Sequence, residues 1–590
     1  MNTKMLQLVK HLQTYSHFFG VWFLSLIVAV LILVLAERKG EKKRAKEEEN
    51  GEILDKKKVS PPKGIWNLFV GLFLGFLGLY IYLIFYEEDF AYLDNAQLNS
   101  YSLIGKFTPL PIGPEGGRFW PFGLQEYNII SLISKSPTAY HLLSVIQLIV
   151  ILWLCWKILP PARIYRLIIL TLLLIQNTFV LCFFNLIYPE RNIIFFLAVF
   201  IYSLVAYQRS GKLIYQILAV ISAQFMLYYK EPVFIMLAGF SLGNLFWNWV
   251  KRKSDTETTN LKEFIRRNSL NICLLWLAIV YFTLYVYYTW GKVEIPYNKE
   301  YDREAANFIV AFFYYLKVSP TLSIFLLFFS WRCFQIAKKR AAIEELWDFL
   351  ALGVMLYLAA YLKLKLAGAH YMAPGEFVAI LYVSQLGKKT FNWHQKAKRF
   401  LCITLLAIFL IVNIPASSYR ILFRKKYMEM RREIAGFIGK RMKDNPRNIV
   451  LFFPPPYESP YNTFNIMEFV SYLNYKGFPV LKKGNEEKGQ YIITKAPEKF
   501  PENLCFPGSG LPFQCFFASQ PGKNDLIVFL TATPVTDEYQ QKADLLFHYQ
   551  PQFRGIERVL YLLAKVKIDK QWRWLNGYVF SNSREANRKK

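Results

Sequence analysis

Long apolar blocks, separated by short charged loops, follow one another along most of the chain. The block from Ile65 to Tyr86 contains 22 residues without a single charge. At about 1.5 Å per residue, a helix of that length crosses a hydrocarbon core of roughly 30 Å, which a soluble core helix rarely needs to do. The pattern predicts an α-helical polytopic membrane protein with about twelve spans. The apolar blocks lie near residues 18–36, 65–86, 138–158, 164–184, 193–207, 213–229, 233–250, 269–290, 307–330, 346–366, 372–387 and 400–415.

Lysine and arginine are concentrated in alternate loops, and such residues are retained in the cytoplasm. Ten of them lie within residues 38–63, and further groups lie at 251–267, 332–340 and 388–399. These loops are therefore predicted to be cytoplasmic. The intervening loops carry fewer basic residues, so the long loop 87–137 is predicted to lie outside.

The segment 424–447 conflicts with this scheme. It holds nine basic and three acidic residues, so the same rule places it in the cytoplasm, whereas twelve spans place it outside. The weakest span is 372–387, because it contains Pro374 and Glu376. We keep twelve spans, since long terminal domains cross membranes largely regardless of their charge.

The composition agrees with a membrane protein, since 54% of the residues are hydrophobic and 17% aromatic. A formal charge of +29 would also suit nucleic acid, but most basic residues lie at span ends, where topology and anionic lipid explain them better. No nucleic-acid partner is predicted. The first block lacks a small-residue cleavage site, so an uncleaved span is expected. Cys505 and Cys515 share a polar region and would pair if it faces an oxidising compartment.

The tail after the last apolar block changes character. Three short apolar runs, NIVLFF, YIIT and DLIVFLTA, predict buried strands, and NTFNIMEFVSYLNYKG predicts an amphipathic helix that ends at Gly477. WLNGYVF predicts a hairpin that turns at Asn576 and Gly577. We therefore expect a small α/β domain. The domains predicted are residues 1–64, an extra N-terminal span with a charged cytoplasmic linker; 65–423, a membrane catalytic domain; and 424–590, an extracytoplasmic α/β domain.

Several acids stand where the second apolar block ends, in YEEDFAYLDNAQ. One interpretation is a solvated helix end, because charged residues commonly flank spans. The other is a carboxylate that deprotonates an acceptor hydroxyl, or a pair that holds a divalent ion at a phosphate-bearing donor. Asp89 is the first choice for the base and Glu88 the second. If a metal ion is used, Asp89 and Glu190 are its candidate ligands.

The loop that follows is long and rich in proline, glycine and aromatic residues, which is typical of a functional loop. Its rings either stack on sugar faces or anchor at lipid head groups. Arg118 is a candidate phosphate contact.

Three shorter elements add charge near the same predicted face. FNLIYPERNIIFF carries Glu190 and Arg191, and LYYKEPVF carries Lys230 and Glu231. Ionisable groups so close to apolar residues usually line a cavity or find a partner. KLKLAGAHYMAPGEF carries His370 and Tyr371; it is either a proline-broken helix with snorkelling lysines or a substrate contact.

Taken together, these residues resemble the GT-C superfamily of polytopic glycosyltransferases, which use polyprenyl- or dolichyl-phosphate sugars. The acids of Glu87 to Asp89 are similar to the acidic motif of the first large outer loop in that superfamily. Glu190 in YPERN is similar to the second acid of its next outer loop. HYMAP resembles an RYxxP element but has histidine in place of arginine. The acidic loop here follows the second span, so the first span would be an addition.

The resemblance implies an inverting hexosyltransferase in a bacterial inner membrane, with its site facing the periplasm or exterior. Asp89 or Glu88 would act as base toward a hydroxyl of a lipid, glycan or protein acceptor, and lipid phosphate would leave. A lipid-linked-saccharide flippase is the main alternative, although no repeat is visible and the acids cluster at one face. An O-antigen polymerase or ligase, or a scaffold without enzymatic activity, is also compatible with the sequence.

Overall fold

The computed structural model describes most of the membrane region and parts of the tail. The described residues are 3–37, 63–86, 89, 110, 112–113, 118–254, 261–289, 308–366, 368–390, 396–444, 449–452, 469, 472–473, 476, 491–494, 516–518, 526–529, 544–571 and 577–581. The predicted base Glu88 lies outside them, as do Cys505 and Cys515.

The described chain is mostly helical, as the apolar pattern predicted. The helices before residue 260 are α1 (Thr3–Thr14), α2 (Ser16–Glu37), α3 (Lys63–Phe85), α4 (Gln125–Ile133), α5 (Pro137–Ile158), α6 (Arg163–Ile175), α7 (Asn177–Phe184), α8 (Glu190–Ser210), α9 (Leu213–Leu227) and α10 (Val233–Ser254). The later membrane-region helices are α11 (Leu261–Arg267), α12 (Ser269–Thr289), α13 (Phe308–Val318), α14 (Pro320–Ala337), α15 (Glu345–Lys363), α16 (Ala369–Thr390) and α17 (Lys396–Asp444). Between α3 and α4, β1 (Ile112–Gly113) pairs antiparallel with β2 (Arg118–Phe119).

Within the described ranges, nine helices are long and apolar enough to cross a membrane, or ten if the bent pair α6 and α7 is one span. A multi-pass membrane protein is thus confirmed. Each of the twelve predicted blocks coincides with helix, but α9 has only 15 residues and α16 is not among the nine. The predicted block 307–330 is divided between α13 and α14.

Burial separates central helices from peripheral ones. The most apolar windows of α5, α8 and α15 are more than half buried, whereas those of α2 and α3 are less than a quarter buried. α10 and α15 approach closely at glycines: a Cβ on Gly353 would lie 2.4 Å from the carbonyl oxygen of Met236. Small residues permit such close packing between membrane helices.

The N-terminal span is part of the bundle. α2 packs against α9 and α12, and Gln224 Nε2 donates to Ser25 Oγ and to the Trp22 carbonyl, at 2.9 Å each. Polar contacts between apolar helices fix their register, since lipid offers no alternative partner. The predicted addition is therefore an integral packing element.

α17 continues far beyond any bilayer. Its 49 residues span roughly 74 Å at about 1.5 Å per residue, against a hydrocarbon core of roughly 30 Å. The predicted domain boundary at residue 424 falls inside this helix, which is continuous across it. The first part belongs to the membrane bundle and the second part carries the tail.

The tail contains a six-stranded sheet in the order β5-β4-β3-β6-β8-β7. The elements are β3 (Ile449–Phe452), β4 (Tyr491–Thr494), β5 (Phe516–Ala518), β6 (Leu526–Phe529), β7 (Asp544–Tyr549), α18 (Ile556–Gln571) and β8 (Gly577–Ser581). β5, β4, β3 and β6 are parallel, and β8 runs antiparallel to β6 and β7. The three predicted strands are confirmed.

One prediction for the tail is wrong. Gly577 does not form a hairpin turn; it begins β8 and pairs with Tyr549 of β7. β8 pairs with β6 and β7, and α18 lies between β7 and β8 in the chain. In the predicted amphipathic helix, the described residues Phe469, Tyr472 and Leu473 are helical and buried.

Candidate functional site

Glu190 is fully buried at the first position of α8. Pro189 precedes it in helical geometry, so the chain enters the helix with the carboxylate beside the amino-terminal end. The partial positive charge of a helix N-terminus favours an anion there. Lys230 Nζ lies 3.3 Å from Glu190 Oε1. Two predicted site residues from separate turns are therefore brought into contact.

Lys230 follows α9 in the turn before α10 and is itself buried. Its Nζ lies 4.9 Å from the centre of the Tyr371 ring and 5.3 Å from that of Trp120. A cation over aromatic faces is stabilised electrostatically by the ring quadrupoles. The long loop, through Trp120, and α16, through Tyr371, thus meet around this lysine.

His370 and Tyr371 begin α16 and complete the same cluster. The His370 ring stacks on Tyr188 with centroids 4.4 Å apart, and the Tyr371 ring stacks on Tyr361 at 4.8 Å. A Cβ on Gly368 would lie 2.7 Å from His370 Cε1 and 3.0 Å from Tyr371 Cε2, so a larger residue there would displace these rings. Local sequence therefore positions both rings.

We name this group the Glu190 cluster. Its members are Glu190, Lys230, Tyr361, His370 and Tyr371, with Trp120 and Tyr188 at its edge. Within the described part of the chain, neither Glu190 oxygen makes a well-formed hydrogen bond, although Lys230 and the Glu190 backbone N–H lie beside the carboxylate. The Tyr361 hydroxyl interacts with the Tyr357 side chain. Buried polar groups are nearly always hydrogen-bonded, so each exception needs an explanation. The cluster is able to accept and donate hydrogen bonds to a ligand.

Arg191 points into a different set of contacts. Its Nη1 donates to Ser144 Oγ at 2.7 Å, and its Nη2 contacts Glu126 at 3.4 Å and the Tyr127 hydroxyl. These partners lie on α5 and α4, so Arg191 braces three helices. Burial raises the pKa of Glu126, which Arg191 opposes. Glu190 and Arg191 are adjacent in the sequence, but Glu190 belongs to the cluster, whereas Arg191 contacts side chains of α4 and α5.

Glu231 contacts the backbone of the long loop at Phe119, the residue after Arg118. Glu231 Oε1 accepts a hydrogen bond from the Phe119 backbone N–H at 3.1 Å, which holds β2 against the turn after α9. The backbone of Arg118 pairs with Gly113 in β1; its side chain lies outside the described part. Glu231 is accordingly a contact that positions the loop.

Asp89 is buried where the chain leaves α3, and it contacts the tail. Its Oδ2 accepts a hydrogen bond from the Tyr472 hydroxyl at 2.7 Å and lies 2.9 Å from Lys476 Nζ. The Lys425 ammonium of α17 donates to the carbonyl of Tyr86, just before this acid. The segment after the last apolar block and the acid-rich exit of α3 therefore share one end of the bundle, which we call the Asp89 end.

The Glu190 cluster lies at this same end. Arg424 Nη2 is 3.3 Å from His141 Nε2 near the start of α5, and the neighbouring Tyr140 stacks on Tyr127 at 5.3 Å. Tyr127 contacts Arg191, the residue after Glu190. This continuous series of contacts connects the region of Asp89 to the cluster.

The described residues include no candidate set of metal ligands. No group of three or more histidine, cysteine, aspartate or glutamate side chains is placed to bind one there. Asp89 and Glu190, the predicted ligands, instead have the separate cationic partners Lys476 and Lys230.

Glu376 is a buried carboxylate for which the sequence predicted no role. The side chains of Gln176, between α6 and α7, and Thr178 donate to its Oε2, and Ser319, between α13 and α14, also hydrogen-bonds to it. α6 and α7 are bent by 65° at this point. A carboxylate inside an apolar block was the sequence signal, since such groups are costly in membranes unless partnered.

No protein-family model matches the chain, and no curated protein matches it significantly.

Proposed function

We propose that this protein is a membrane glycosyltransferase that moves a sugar from a polyprenyl-phosphate donor to a hydroxyl acceptor at the Asp89 end of the bundle. The observation that carries the proposal is the Glu190 cluster. A buried carboxylate with open hydrogen-bond positions, a buried ammonium and several aromatic faces lie together, at the end that also carries Asp89. Intramembrane ionisable groups with incomplete partners mark functional sites.

The chemistry of the cluster fits a sugar phosphate. Lys230 supplies positive charge for the leaving phosphate, and the open Glu190 oxygen accepts a hydrogen bond from a sugar hydroxyl. Flat aromatic walls with a few polar groups are typical of sites that bind partly apolar ligands.

Asp89 takes the role of base. It removes the proton from the acceptor hydroxyl as that oxygen bonds to the anomeric carbon, while the bond from that carbon to the phosphate oxygen breaks. Polyprenyl phosphate leaves with the bonding electrons, and the anomeric configuration inverts. Tyr472 and Lys476 hold the carboxylate in position, as a base needs an orienting partner. In this proposal the site faces the outer side of the membrane.

The test is donor cleavage by the full chain in liposomes. Polyprenyl-phosphate glucose, mannose, galactose and arabinose are supplied with an envelope glycan extract as acceptor, and released polyprenyl phosphate is measured. Asp89→Asn is expected to reduce release by about 10²–10⁴-fold, the usual contribution of a general base. The control Glu345→Gln changes an acid that forms a half-exposed pair with Lys251 away from the cluster and is expected to retain release.

Two results would contradict the proposal at different levels. Full release by Asp89→Asn refutes the role of that residue. No release from any of these donors by folded wild-type protein refutes lipid-phosphate sugar transfer as tested.

A lipid-linked-saccharide transporter is the second candidate, and the breaks around Glu376 favour it. Helices interrupted near a buried carboxylate are typical of substrate and ion sites in secondary transporters. The discriminating measurement is the transbilayer movement of a fluorescent polyprenyl-phosphate sugar in proteoliposomes, detected by dithionite quenching. A transporter loses this movement in Glu376→Gln, whereas a transferase shows no movement that depends on the protein.

A further inference from the structure

Helix α18 of the tail has two apolar faces. One face is buried against α17 and contains Leu560, Ala564 and Ile568. The other face is a stripe of exposed apolar side chains. We name it the Val566 stripe, after its most exposed member, which is 75% exposed. The stripe comprises Val559, Leu562, Leu563 and Val566.

The spacing of the stripe is that of one helix face. Positions i, i+3, i+4 and i+7 cover an arc of roughly 100°. An extramembrane helix needs one apolar face for its own domain, and α18 already buries that face. The second face therefore calls for a second apolar environment.

The location of α18 indicates which environment that is. Glu557, in its first turn, lies 2.7 Å from Lys426 Nζ, and the adjacent Lys425 contacts the Tyr86 carbonyl at the end of span α3. The first turn of α18 is thus level with the point where a membrane span ends. Its buried residues also belong to the same continuous apolar core as Ile421 and Leu422 of α17 and the membrane helices.

Charged residues at the edge of the stripe indicate which apolar environment covers it. Arg558 and Lys565, which helical spacing places on one side of the stripe, are exposed, and so is Arg554 just before the helix. A helix with an apolar face bordered by cations is typical of interfacial helices, which insert that face below the head groups of anionic lipid. A protein partner would not explain why the helix begins level with the end of a span.

We propose that the Val566 stripe docks on the surface of the lipid bilayer, with anionic head groups contacting the bordering cations. The helix then ties the α/β domain to the membrane at the same end at which Tyr472 and Lys476 reach Asp89. This inference does not depend on glycosyl transfer.

The experiment places an environment-sensitive fluorophore on the stripe. Val566→Cys is labelled with nitrobenzoxadiazole in the full chain, with Cys333, Cys402, Cys505 and Cys515 replaced by serine, and the protein is placed in nanodiscs that hold one protomer. The matched control is Leu545→Cys, an exposed position on β7. Phe547 of that strand stacks on Phe437, roughly 16 Å beyond Lys426 along α17.

Lipids brominated high on the acyl chain are expected to quench the label at position 566 and not the label at position 545. The proposal is refuted if brominated and ordinary discs give the same fluorescence at position 566 and the same fluorescence at position 545. So would quenching at position 566 that arises only in discs holding two protomers, since a second copy would then cover the stripe.

A second measurement tests the lipid charge. Quenching at position 566 is expected to increase when phosphatidylglycerol replaces part of the phosphatidylcholine, and Arg558→Gln with Lys565→Gln should remove that increase. If quenching is the same in both lipid mixtures, the anionic part of the proposal is refuted.

Discussion

Two buried ion pairs lie at opposite ends of α15, and they differ in how completely their polar atoms are used. Asp348, near the start of α15, receives Arg332 Nε at 3.2 Å and Arg332 Nη2 at 3.0 Å. The Tyr382 hydroxyl and the Glu344 backbone N–H donate to the same carboxylate, at 3.1 and 2.8 Å. This pair is a closed network that joins α14, α15 and α16.

The Glu190–Lys230 pair, at the other end, is open. The two side chains are 3.3 Å apart and the Glu190 backbone N–H also lies beside the carboxylate, but no described donor makes a well-formed hydrogen bond to either oxygen. Burial of an incompletely partnered charge is costly. A closed buried pair therefore stabilises the fold, whereas an open pair is suited to a site where a bound ligand supplies the remaining hydrogen bonds.

The closed pair should give the largest loss of stability. Asp348→Asn leaves Arg332 buried without its counter-charge and is expected to cost about 3–5 kcal/mol of unfolding free energy. The midpoint of unfolding in detergent measures this loss. Turnover per folded molecule should not change, and a selective loss of turnover would contradict a purely structural role.

The open pair should show the reverse. Glu190→Gln is expected to lower donor cleavage by about 10²–10³-fold, comparable to removal of one preorganised electrostatic contact. Its unfolding midpoint should fall less than that of Asp348→Asn, because Lys230 keeps its contacts with Trp120 and Tyr371. Equal losses of stability in the two variants would remove the distinction between the pairs.

Two tyrosines on α15 provide a matched test at smaller scale. The Tyr357 hydroxyl donates to the Tyr371 carbonyl at 3.0 Å, whereas the Tyr361 hydroxyl interacts only with the Tyr357 side chain among the described residues. Tyr357→Phe should lose about 1 kcal/mol of stability, the net value of a hydrogen bond. Tyr361→Phe should lose less stability than Tyr357→Phe and raise the KM for donor by about tenfold, since about 1.4 kcal/mol corresponds to that factor. If Tyr357→Phe raised the KM and Tyr361→Phe lowered stability instead, Tyr361 would not be a ligand contact.

The smallest stability effect is expected at the contact between the tail and Asp89. Lys476 is one-third exposed, and ion pairs that are partly solvated contribute roughly 0–1 kcal/mol. Lys476→Gln should therefore leave the unfolding midpoint nearly unchanged. If the tail positions Asp89 for catalysis, kcat should fall while KM for the donor stays constant; an unchanged kcat would separate the tail from the reaction.

Much of the fold could be predicted from the local sequence. Every predicted apolar block coincides with helix, and three predicted strands are present, because burial periodicity and chain length act within short windows. The breaks at Gln176 and Ser319 were not predicted. The break at Gln176 depends on distant residues, since Asn413 of α17 accepts from the Asn177 backbone N–H, Ser417 donates to the Ile175 carbonyl, and Glu376 accepts from the Gln176 side chain. The signal at Ser319 was local, because Pro320 follows it and the Ser319 side chain accepts from the Leu322 N–H.

For the site, residue type and position relative to the spans indicated most candidates. Glu190, Lys230, His370 and Tyr371 were selected as ionisable or aromatic residues near span ends, and the structure brings them together. Arg191 was selected on the same grounds, yet it faces Glu126 and Ser144. Adjacent helix positions point about 100° apart, so only the rotation of α8 in the bundle separates a ligand-facing residue from a brace.

The amino-acid sequence alone determined that this is a polytopic helical membrane protein with an α/β tail, since hydrophobic length and alternation are properties of the chain itself. It also located the acids and cations near the ends of the spans. Which of them meet depended on helix packing: Glu190 with Lys230, Asp89 with the tail, and Glu376 with two broken helices. These contacts join residues far apart in sequence, and their geometry follows from the packing of the whole bundle.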